Sequence, residues 1–416
     1  MAIKKIKVSN FKSFKELDLE LGNFNVVIGA NASGKSNFTQ IFKFLRDIEK
    51  EDSLKDAISQ NSGIEALRNL KIGPSCDFKI QSVSDKKMGW GRRESRAIII
   101  SEATYQLNLK FGKTKRGIKI TNDELSLKLA IASLKAKENP NILCEGKLII
   151  RNIEGKPEVS FDPPDLGKKL EDEKIIFPPS AFPKLFGGKI PPNTLLIRTP
   201  YSLIPPWETL FKKISIYNID PHIARKPTSN SGKAELQENG DNLALVLSKI
   251  IKDKNKKRKF CNLINDLLPF FDDIGIETFV ENSLQIKLKE KYYKNKFLPA
   301  HLLSDGTINI AALIIAIYFE EKDIVIIEEP ERNIHPHLIS KVIDMMKDAS
   351  TNKQIIVTTH SPEVVKHAGL ENILFVSRDK DGFSVIHRLN EKDDLKVFLK
   401  TELGIDDLYI QGLLGA

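Results

Sequence analysis

A glycine-rich segment near the N-terminus constrains the fold of this chain more than any other feature. It reads Gly29-Ala30-Asn31-Ala32-Ser33-Gly34-Lys35-Ser36, which matches the pattern G-x-x-x-x-G-K-[ST] at every position. The apolar run Val26–Ile28 precedes this segment, and apolar residues recur after it at helical spacing. The sequence therefore predicts a strand, a glycine turn and a helix from Lys35 to Lys50, which is the setting in which this pattern binds phosphate.

The residue types of this turn suit a nucleotide triphosphate and its metal ion. Glycines let successive backbone N–H groups curl round a phosphate, while the N-terminus of the following helix adds partial positive charge. Lys35 is predicted to reach the β- and γ-phosphates and Ser36 to hold Mg²⁺, so ATP and Mg²⁺ are the expected cofactors. The predicted nucleotide-binding residues are Gly29, Asn31, Ala32, Ser33, Gly34, Lys35, Ser36 and Asn37. The alternative, a glycine turn before an ordinary helix, leaves the complete pattern unexplained.

Two adjacent carboxylates follow an apolar run later in the chain. Glu328 and Glu329 come directly after Ile324–Ile327, which reads as a buried strand. Consecutive strand residues face opposite ways, so the two acids can divide their duties. Glu328 is predicted to join Ser36 in the Mg²⁺ shell, and Glu329 to position and polarise the attacking water. An ordinary charged strand end is the alternative interpretation, and it weakens once the glycine turn is taken into account.

Composition bounds the class of protein. The chain has 416 residues, with 41% hydrophobic and 29% charged residues, as in a soluble globular protein. Its longest apolar run is too short to span a bilayer, and the N-terminus lacks a secretory signal, so a cytoplasmic protein without membrane attachment is expected. The 64 Lys and Arg against 55 Asp and Glu give a net charge of +9, which favours an anionic partner or a solvated lysine-rich surface. Three widely spaced cysteines support neither disulfides nor a CxxC metal site.

A further loop carries the resemblance to a known family. Leu303-Ser304-Asp305-Gly306-Thr307 precedes an apolar helix and lies just upstream of the acidic strand. The loop resembles the signature of the ABC-type ATPases in the SMC and RecF branch. That resemblance implies that Ser304, Asp305, Gly306 and Thr307 form a signature that acts in trans. The Ser304 hydroxyl and the Gly306 backbone N–H would then bind the γ-phosphate held by a second copy of the chain. Asp305 and Thr307 depart from the usual glycine and acid or amide, and an acid beside a triphosphate is repulsive unless it points away. The structural alternative is a Ser-Asp N-cap before a buried helix.

The same resemblance assigns roles to the segment that follows the acidic strand. His360, after the strand Ile355–Thr359, occupies the position of the switch histidine that senses the γ-phosphate and orients water, although a lone histidine at a strand end is often structural. Pro330–Pro336 is similar to the D-loop, in which Glu331 and Asn333 are expected at the dimer interface. His335 and His337 do not predict a metal site, since no third ligand accompanies them.

Two other expectations concern the nucleotide. Asn10–Phe14 resembles the N-terminal turn of the branch, which lies beside the adenine, while a plain hairpin or a basic surface loop would read similarly. The Q-loop glutamine cannot be assigned among Gln60, Gln81 and Gln106.

The resemblance reaches beyond the ATPase motifs. Tyr217–Pro221, Glu238–Ala244 and the closing segment from Leu403 to Gly415 are similar to ATPases grouped with OLD-like proteins. A TOPRIM nuclease pattern does not follow His360, and Asp379–Gly382 is predicted to be a hairpin turn. The expected fold is an α/β P-loop NTPase, an ABC/SMC-like head with a mixed sheet, an antiparallel β lobe, a helical insert and no long coiled coil. The predicted domains are the head at 1–50 plus 296–416, the β lobe at 51–135, and an irregular and helical insert at 136–295. Within the second of these, Asp56 to Leu70 is predicted to be helical.

Two functions fit these expectations. The first is an ATP-driven switch or scaffold in prokaryotic anti-phage defence, which pairs through its heads as a homodimer or higher oligomer and controls a separately encoded effector such as a nuclease. The second is a compact RecF-like ATPase of DNA repair or chromosome maintenance that acts on DNA directly. A transporter-energising role is disfavoured by the large insert between Lys35 and Ser304.

Overall fold

The computed structural model describes residues 2–73, 76–93, 96–111, 117–133, 141–172, 190–191, 194–199, 209–233, 235–278, 282–293 and 296–388. Through these residues the chain divides into two units. Unit 1 draws on Met1–Gly22, Gln40–Lys213 and Arg378–Ile386, and unit 2 on Asn23–Thr39, Ile214–Ser377 and His387–Ala416. The domain boundaries given by the sequence stay a prediction. The closing segment from Leu403 to Gly415, which contributed to the family resemblance, lies outside the described residues.

The strands are β1 (Ala2–Phe11), β2 (Phe14–Glu20), β3 (Phe24–Ile28), β4 (Phe78–Arg93), β5 (Arg96–Phe111), β6 (Ile118–Ser133), β7 (Asn141–Ile153), β8 (Lys156–Asp162), β9 (Ile214–Tyr217), β10 (Thr228–Ser229), β11 (Phe271–Thr278), β12 (Ser283–Glu290), β13 (Phe297–Pro299), β14 (Ile324–Glu328), β15 (Gln354–Thr359), β16 (Ile373–Arg378) and β17 (Ser384–Arg388). The helices are α1 (Lys35–Lys50), α2 (Leu54–Gln60), α3 (Ile64–Leu67), α4 (Leu166–Asp172), α5 (Pro221–Ala224), α6 (Leu243–Lys252), α7 (Lys254–Leu267), α8 (Asp305–Tyr318), α9 (Pro336–Ala349) and α10 (Pro362–Ala368). Short 3₁₀ turns occupy Leu196–Arg198, Ala300–Leu302 and Leu370–Asn372.

Unit 1 is built on a seven-stranded antiparallel sheet in the order β2-β1-β4-β5-β6-β7-β8. Strand β6 alternates buried and partly exposed residues over most of its length, as expected for a sheet with one buried face. The rings of Phe11, Phe44, Phe78 and Phe111 pack together on that face, with centroids 5.5 to 6.4 Å apart. The predicted antiparallel β lobe is therefore confirmed, and a cluster of aromatic rings forms part of its core.

Two local predictions differ from the structure. The segment 56–70 was expected to be one helix, but α2 ends at Gln60 and α3 starts at Ile64. Ser62 and Gly63 between them have φ of 68° and 85°, values that no right-handed helix contains. The region after residue 136 was expected to be irregular, yet β7 and β8 form a hairpin there. Most residues of β7 are exposed or only partly buried, so its sequence carries little of the alternation that marks a strand.

Unit 2 contains five parallel strands in the order β16-β3-β15-β14-β9. Strands β3 and β15 are buried at every residue, because helices cover both faces of a parallel sheet. Helix α8 is apolar around its whole circumference, and its residues from Thr307 to Ile317 are all buried, as a central core helix requires. Strands β10, β12, β11 and β13 form a second, smaller antiparallel sheet in this unit.

The α/β fold predicted from the sequence is confirmed by this sheet, which carries the glycine turn between β3 and α1. In the described ranges the longest helix is α1, with 16 residues. No helix in the same ranges is both long and apolar enough to cross a membrane.

Two buried acids of unit 1 bind backbone amides rather than basic side chains. Glu49, at the end of α1, accepts hydrogen bonds from the backbone N–H groups of Leu210, Phe211 and Lys212 at 2.5 to 3.1 Å. Asp123 on β6 accepts from the backbone N–H of Leu196 at 2.8 Å and from the Tyr105 hydroxyl at 3.0 Å. Burial raises the pKa of Asp123 to about 6, and its hydrogen bonds offset only part of that effect.

This raised pKa predicts how Asp123 links stability to pH. Protonated Asp123 favours the folded chain, and that contribution is complete below the ordinary pKa of 3.8 and is lost as the pH rises through about 6. The shift corresponds to about 3 kcal/mol. Asp123→Asn cannot ionise, so the unfolding free energy of wild type minus that of the variant should fall by up to about 3 kcal/mol between pH 4 and pH 7. Denaturant titrations at several pH values measure this difference. The exposed Glu16→Gln variant is the control, and an equal slope for both variants would contradict the prediction.

Candidate active site

Three neighbouring parallel strands bring the predicted site residues to one edge of the sheet in unit 2. In the register, Ile28 of β3 lies beside Thr359 of β15, and Thr358 lies beside Glu328 of β14. The glycine turn, the two carboxylates and His360 therefore all follow strand ends at the same level. Ligands of open parallel sheets bind at this carboxyl edge.

The glycine turn has the backbone shape that phosphate binding requires. Gly29 must be glycine, since a Cβ atom there would lie 2.2 Å from the backbone oxygen of Val376. Ala32 and Gly34 have φ of 61° and 123°, which curls the chain before α1 begins at Lys35. The first turn of the helix then directs its backbone N–H groups toward the loop.

Lys35 lies over this loop. Its Nζ donates to the backbone oxygens of Gly29 at 2.5 Å and Ala30 at 3.1 Å. Asn31, Ala32 and Ser36 are exposed, Asn37 is partly exposed, and Ser33 and Gly34 are buried. The lysine ammonium and the backbone of the turn therefore lie together at the carboxyl end of β3.

Glu328 is held by two side chains from different elements. Thr39 of α1 donates its hydroxyl to Glu328 Oε1 at 2.7 Å and to the backbone oxygen of Ser36 at 3.0 Å. Asn218, directly after β9, donates Nδ2 to Glu328 Oε2 at 3.1 Å. Thr39 therefore brings the two predicted magnesium ligands close together. A hydroxyl and a carboxylate are the hard oxygen ligands that Mg²⁺ prefers, so the residues present fit this ion.

Glu329 has a separate set of partners. Its φ of 49° turns the chain sharply after β14, and its backbone N–H donates to Thr358 at 2.8 Å. Arg332 Nη2 donates to Glu329 Oε2 at 2.5 Å, and His360 Nδ1 lies 3.2 Å from Oε1. Burial raises the pKa of Glu329, but the hydrogen bond and charge of Arg332, with the charges of His360 and Lys35, outweigh it and lower the pKa below its usual value. Glu329 is thus a carboxylate at neutral pH that can accept a hydrogen bond from water.

The segment after Glu329 divides its two predicted D-loop residues. Glu331 points into the chain, where its Oε1 accepts from the Thr359 hydroxyl at 2.5 Å, and burial raises its pKa. Asn333 is exposed and has φ of 61°. Asn309, buried in α8, donates Nδ2 to the backbone oxygens of Pro330 at 3.3 Å and Arg332 at 2.7 Å, so this segment is fixed to α8.

The predicted signature loop forms the N-terminus of α8. Ser304 caps the helix, and its Oγ accepts from the backbone N–H of Thr307 at 3.1 Å, as the structural alternative anticipated. Ser304 is nevertheless exposed, while Thr307 is buried. Gly306 must be glycine because a Cβ atom there would lie 2.5 Å from the backbone oxygen of Asn333. The loop and the D-loop segment are therefore packed backbone to backbone.

Asp305 is turned to a basic side chain rather than left alone. Its Oδ1 forms an ion pair with Arg225, the residue that ends α5, and its Oδ2 lies 3.6 Å from His222 Nε2. The departure from the family signature is thus accompanied by a charge of opposite sign.

His335 and His337 lie side by side, with their Nδ1 atoms 2.6 Å apart. In the part of the chain that the structure describes, no third His, Cys, Asp or Glu joins them in a metal-binding group.

Sequence reasoning assigned no role to five residues that the structure places around the carboxylates and the adjacent loops, namely Thr39, Asn218, Arg225, Asn309 and Arg332. Thr39 and Asn309 interrupt apolar helical patterns, and a polar residue inside such a pattern is a signal that could have been used. Asn218 and Arg225 carried no such signal, because their partners are about 80 to 110 residues away in sequence.

Comparison with known families identifies two segments of the chain. Residues 1–176 match the model of the family described as "AAA ATPase domain", and residues 200–366 match "AAA domain, putative AbiEii toxin, Type IV TA system". Comparison with curated proteins gave no match.

Among solved structures, the chain is similar to SMC head domains. One is an Smc head bound to the C-winged helix domain of ScpA, with 16% identity, a TM-score of 0.48, and coverage of 93% of this chain and 98% of that one. Another is the SMC head domain from Thermotoga maritima, with 16% identity, a TM-score of 0.44, and coverage of 94% and 100%. A third is the Smc head with an extended coiled coil bound to the C-terminal domain of ScpA derived from Pyrococcus furiosus, with 15% identity, a TM-score of 0.47, and coverage of 96% and 99%.

The two family matches contain the glycine turn and the acidic strand, respectively. This chain is therefore an ATPase, as its sequence predicted, and two of its segments match models of AAA ATPase families. The P-loop NTPase fold rests on the strand order and the glycine turn, since the likeness to the SMC heads is loose.

The hydrogen bond between Thr39 and Glu328 generates a test of the site. Thr39→Val keeps the shape of this buried residue but removes the hydroxyl, so Glu328 Oε1 loses a donor. We expect ATP turnover to fall about tenfold, because a hydrogen bond to a charged group contributes about 1.5–3 kcal/mol. Steady-state phosphate release measures the effect, and Thr39→Ser, which retains the hydroxyl, is the matched control. Equal ATP turnover by the two variants would show that the Thr39 hydroxyl does not contribute to hydrolysis.

Proposed function

We propose that this ATPase is a cytoplasmic molecular switch of prokaryotic anti-phage defence, in which ATP binding pairs two copies of the head and hydrolysis separates them. The paired state controls a separately encoded effector such as a nuclease. The observation that carries the proposal is the meeting of the glycine turn, Glu328, Glu329 and His360 at the carboxyl ends of β3, β14 and β15.

The roles of the site residues follow from their contacts. Ser36 and Glu328 hold Mg²⁺, which neutralises charge on the phosphates when it is bound. Lys35 moves from the backbone oxygens of the turn to the β- and γ-phosphates. Glu329 accepts a hydrogen bond from the attacking water, and the imidazole of His360, 3.2 Å from Glu329, orients the water and the γ-phosphate.

The exposed side of the signature loop supports pairing. Ser304 and Asn333 are exposed, and Gly306 packs against Asn333, so the two loops present one continuous surface. The N-terminus of α8 opens on that surface, where its dipole favours an anion. We assign Ser304 and Gly306 to the γ-phosphate held by a second copy.

The link to defence rests on the family match of residues 200–366, whose description names a toxin of a type IV toxin–antitoxin system. The site residues of unit 2 support the binding and hydrolysis of a nucleotide, which a switch requires. A separate effector would therefore supply any activity against nucleic acid.

The role of Glu329 predicts a trapped state. Glu329→Gln keeps the size of the side chain and the phosphate contacts but accepts the hydrogen of water poorly, so the variant should bind ATP and hydrolyse it at least a hundredfold more slowly. Dimers should then accumulate with ATP, and light scattering after size exclusion measures them. Lys35→Ala is the control, since it should fail to bind ATP by calorimetry and should remain unpaired. Normal turnover by Glu329→Gln would remove this residue from catalysis.

A second candidate function, a compact RecF-like ATPase acting on DNA, is favoured by the basic surface of α7. Lys254, Lys256 and Arg258 are exposed along this helix, and the chain carries a net charge of +9. A cluster of this kind can neutralise phosphates of a nucleic-acid backbone.

DNA binding through α7 predicts a steep salt dependence. The affinity for duplex DNA should fall with increasing salt, and replacing Lys254, Lys256 and Arg258 by Gln should reduce the slope of log K against log salt by about three. Fluorescence anisotropy at salt concentrations from about 50 to about 200 mM measures both the affinity and the slope. Replacing Lys4, Lys5 and Lys7 of β1 by Gln supplies a charge-matched control. An unchanged slope for the α7 variant would exclude this surface.

A further inference from the structure

Asp305 poses an electrostatic problem for the pairing described above. It is the first residue of α8, beside the loop that we assign to the partner's γ-phosphate. A carboxylate repels a triphosphate, and the repulsion falls only slowly with distance inside a partly closed interface. A signature loop that contains this acid needs a compensating charge.

The structure contains such a charge on α5. Arg225 ends this short helix, and its guanidinium forms an ion pair with Asp305 Oδ1 while its Nε donates to the backbone oxygen of Pro221 at 3.3 Å. The second bond fixes the direction of the guanidinium. The side chains of Arg225 and Asp305 are 20% and 31% exposed, so the pair lies at the surface and is only partly screened by solvent.

Helix α5 is itself anchored at its start. Asp220 caps it by accepting from the backbone N–H of His222 at 2.9 Å, and Pro221 occupies the first turn. His222 Nε2 lies 3.6 Å from Asp305 Oδ2, on the other carboxylate oxygen. Two basic residues of one capped helix thus face the acid of the signature loop.

We propose that Arg225 is a positioning residue for the paired ATP site, which neutralises Asp305 and so allows the N-terminus of α8 to receive the partner's γ-phosphate. The inference rests on the proposed function, since it concerns the same contact between two copies. Arg225 acts through Asp305. Because their charges cancel, the partial positive charge at the N-terminus of α8 is the charge that remains at the loop.

Three variants distinguish this role from a merely structural one by whether each strengthens or weakens ATP-driven pairing. If Arg225 neutralises Asp305, then Arg225→Ala leaves a bare acid and weakens ATP-driven pairing on the order of tenfold. Asp305→Asn then has the opposite effect and tightens pairing, because the guanidinium remains without the acid. The double variant Arg225→Ala/Asp305→Asn regains most of the pairing lost by Arg225→Ala. If the ion pair only joined α5 to α8, both single variants would weaken pairing alike.

The experiment uses the full chain in the Glu329→Gln background, where pairs accumulate with ATP. The dissociation constant of the pair is measured by analytical ultracentrifugation with ATP and Mg²⁺, and thermal unfolding checks that each variant is folded. Lys226→Ala, which removes the same charge one residue further along at an exposed site, is the control and should pair like the background.

The outcomes are distinct. Opposite effects of the two single variants, with recovery in the double variant, support the proposal. Weaker pairing by both single variants, or no effect of Arg225→Ala, overturns it while leaving the proposed function intact. Failure of the Glu329→Gln background itself to pair with ATP overturns the proposed function and this inference with it.

Discussion

The hydrogen bonds around the end of β14 are the interaction on which the site depends. Two consecutive carboxylates leave a strand that is buried on both faces, where an unpartnered charge would be costly. The chain divides them: Thr39 and Asn218 hold Glu328, whereas Arg332 and His360 lie against Glu329. The left-handed turn at Glu329 makes this division possible, since it directs the second acid away from the first. The two adjacent carboxylates therefore have separate partners, so one can bind a metal ion while the other contacts water.

Helix α8 extends this organisation to the loops that follow the sheet. Because the helix is apolar on every side, the core fixes its position, and Asn309 and Gly306 are the points where it contacts the segment after Glu329. One buried amide binds two backbone oxygens of that segment, and one missing Cβ allows the close approach. A movement of the segment after Glu329 would therefore displace the N-terminus of α8, where Asp305 and Arg225 form their ion pair.

The sequence anticipated elements best where the apolar pattern was strong. The bounds of α1 and the positions of β3, β14 and β15 agree with the predictions, because these elements are buried and continuous. The prediction was wrong for the single helix expected at 56–70, which the left-handed residues Ser62 and Gly63 interrupt. It was also wrong for β7 and β8, which pair largely through backbone hydrogen bonds on a solvent-accessible part of the sheet. A strand with so few buried residues leaves little trace in the pattern of side chains.

The sequence by itself determined the chemistry of the chain: the glycine turn, the paired acids, and hence an ATPase with a P-loop fold. These signals are local, because each depends on residues within a few positions of one another and on an adjacent strand or helix. Only the tertiary structure decided which side chains hold the acids. Asn218 reaches Glu328 and Arg225 reaches Asp305 across 110 and 80 residues, respectively. The order of the strands and the packing of α5 on α8 bring such distant partners together. A local sequence pattern contains neither kind of information.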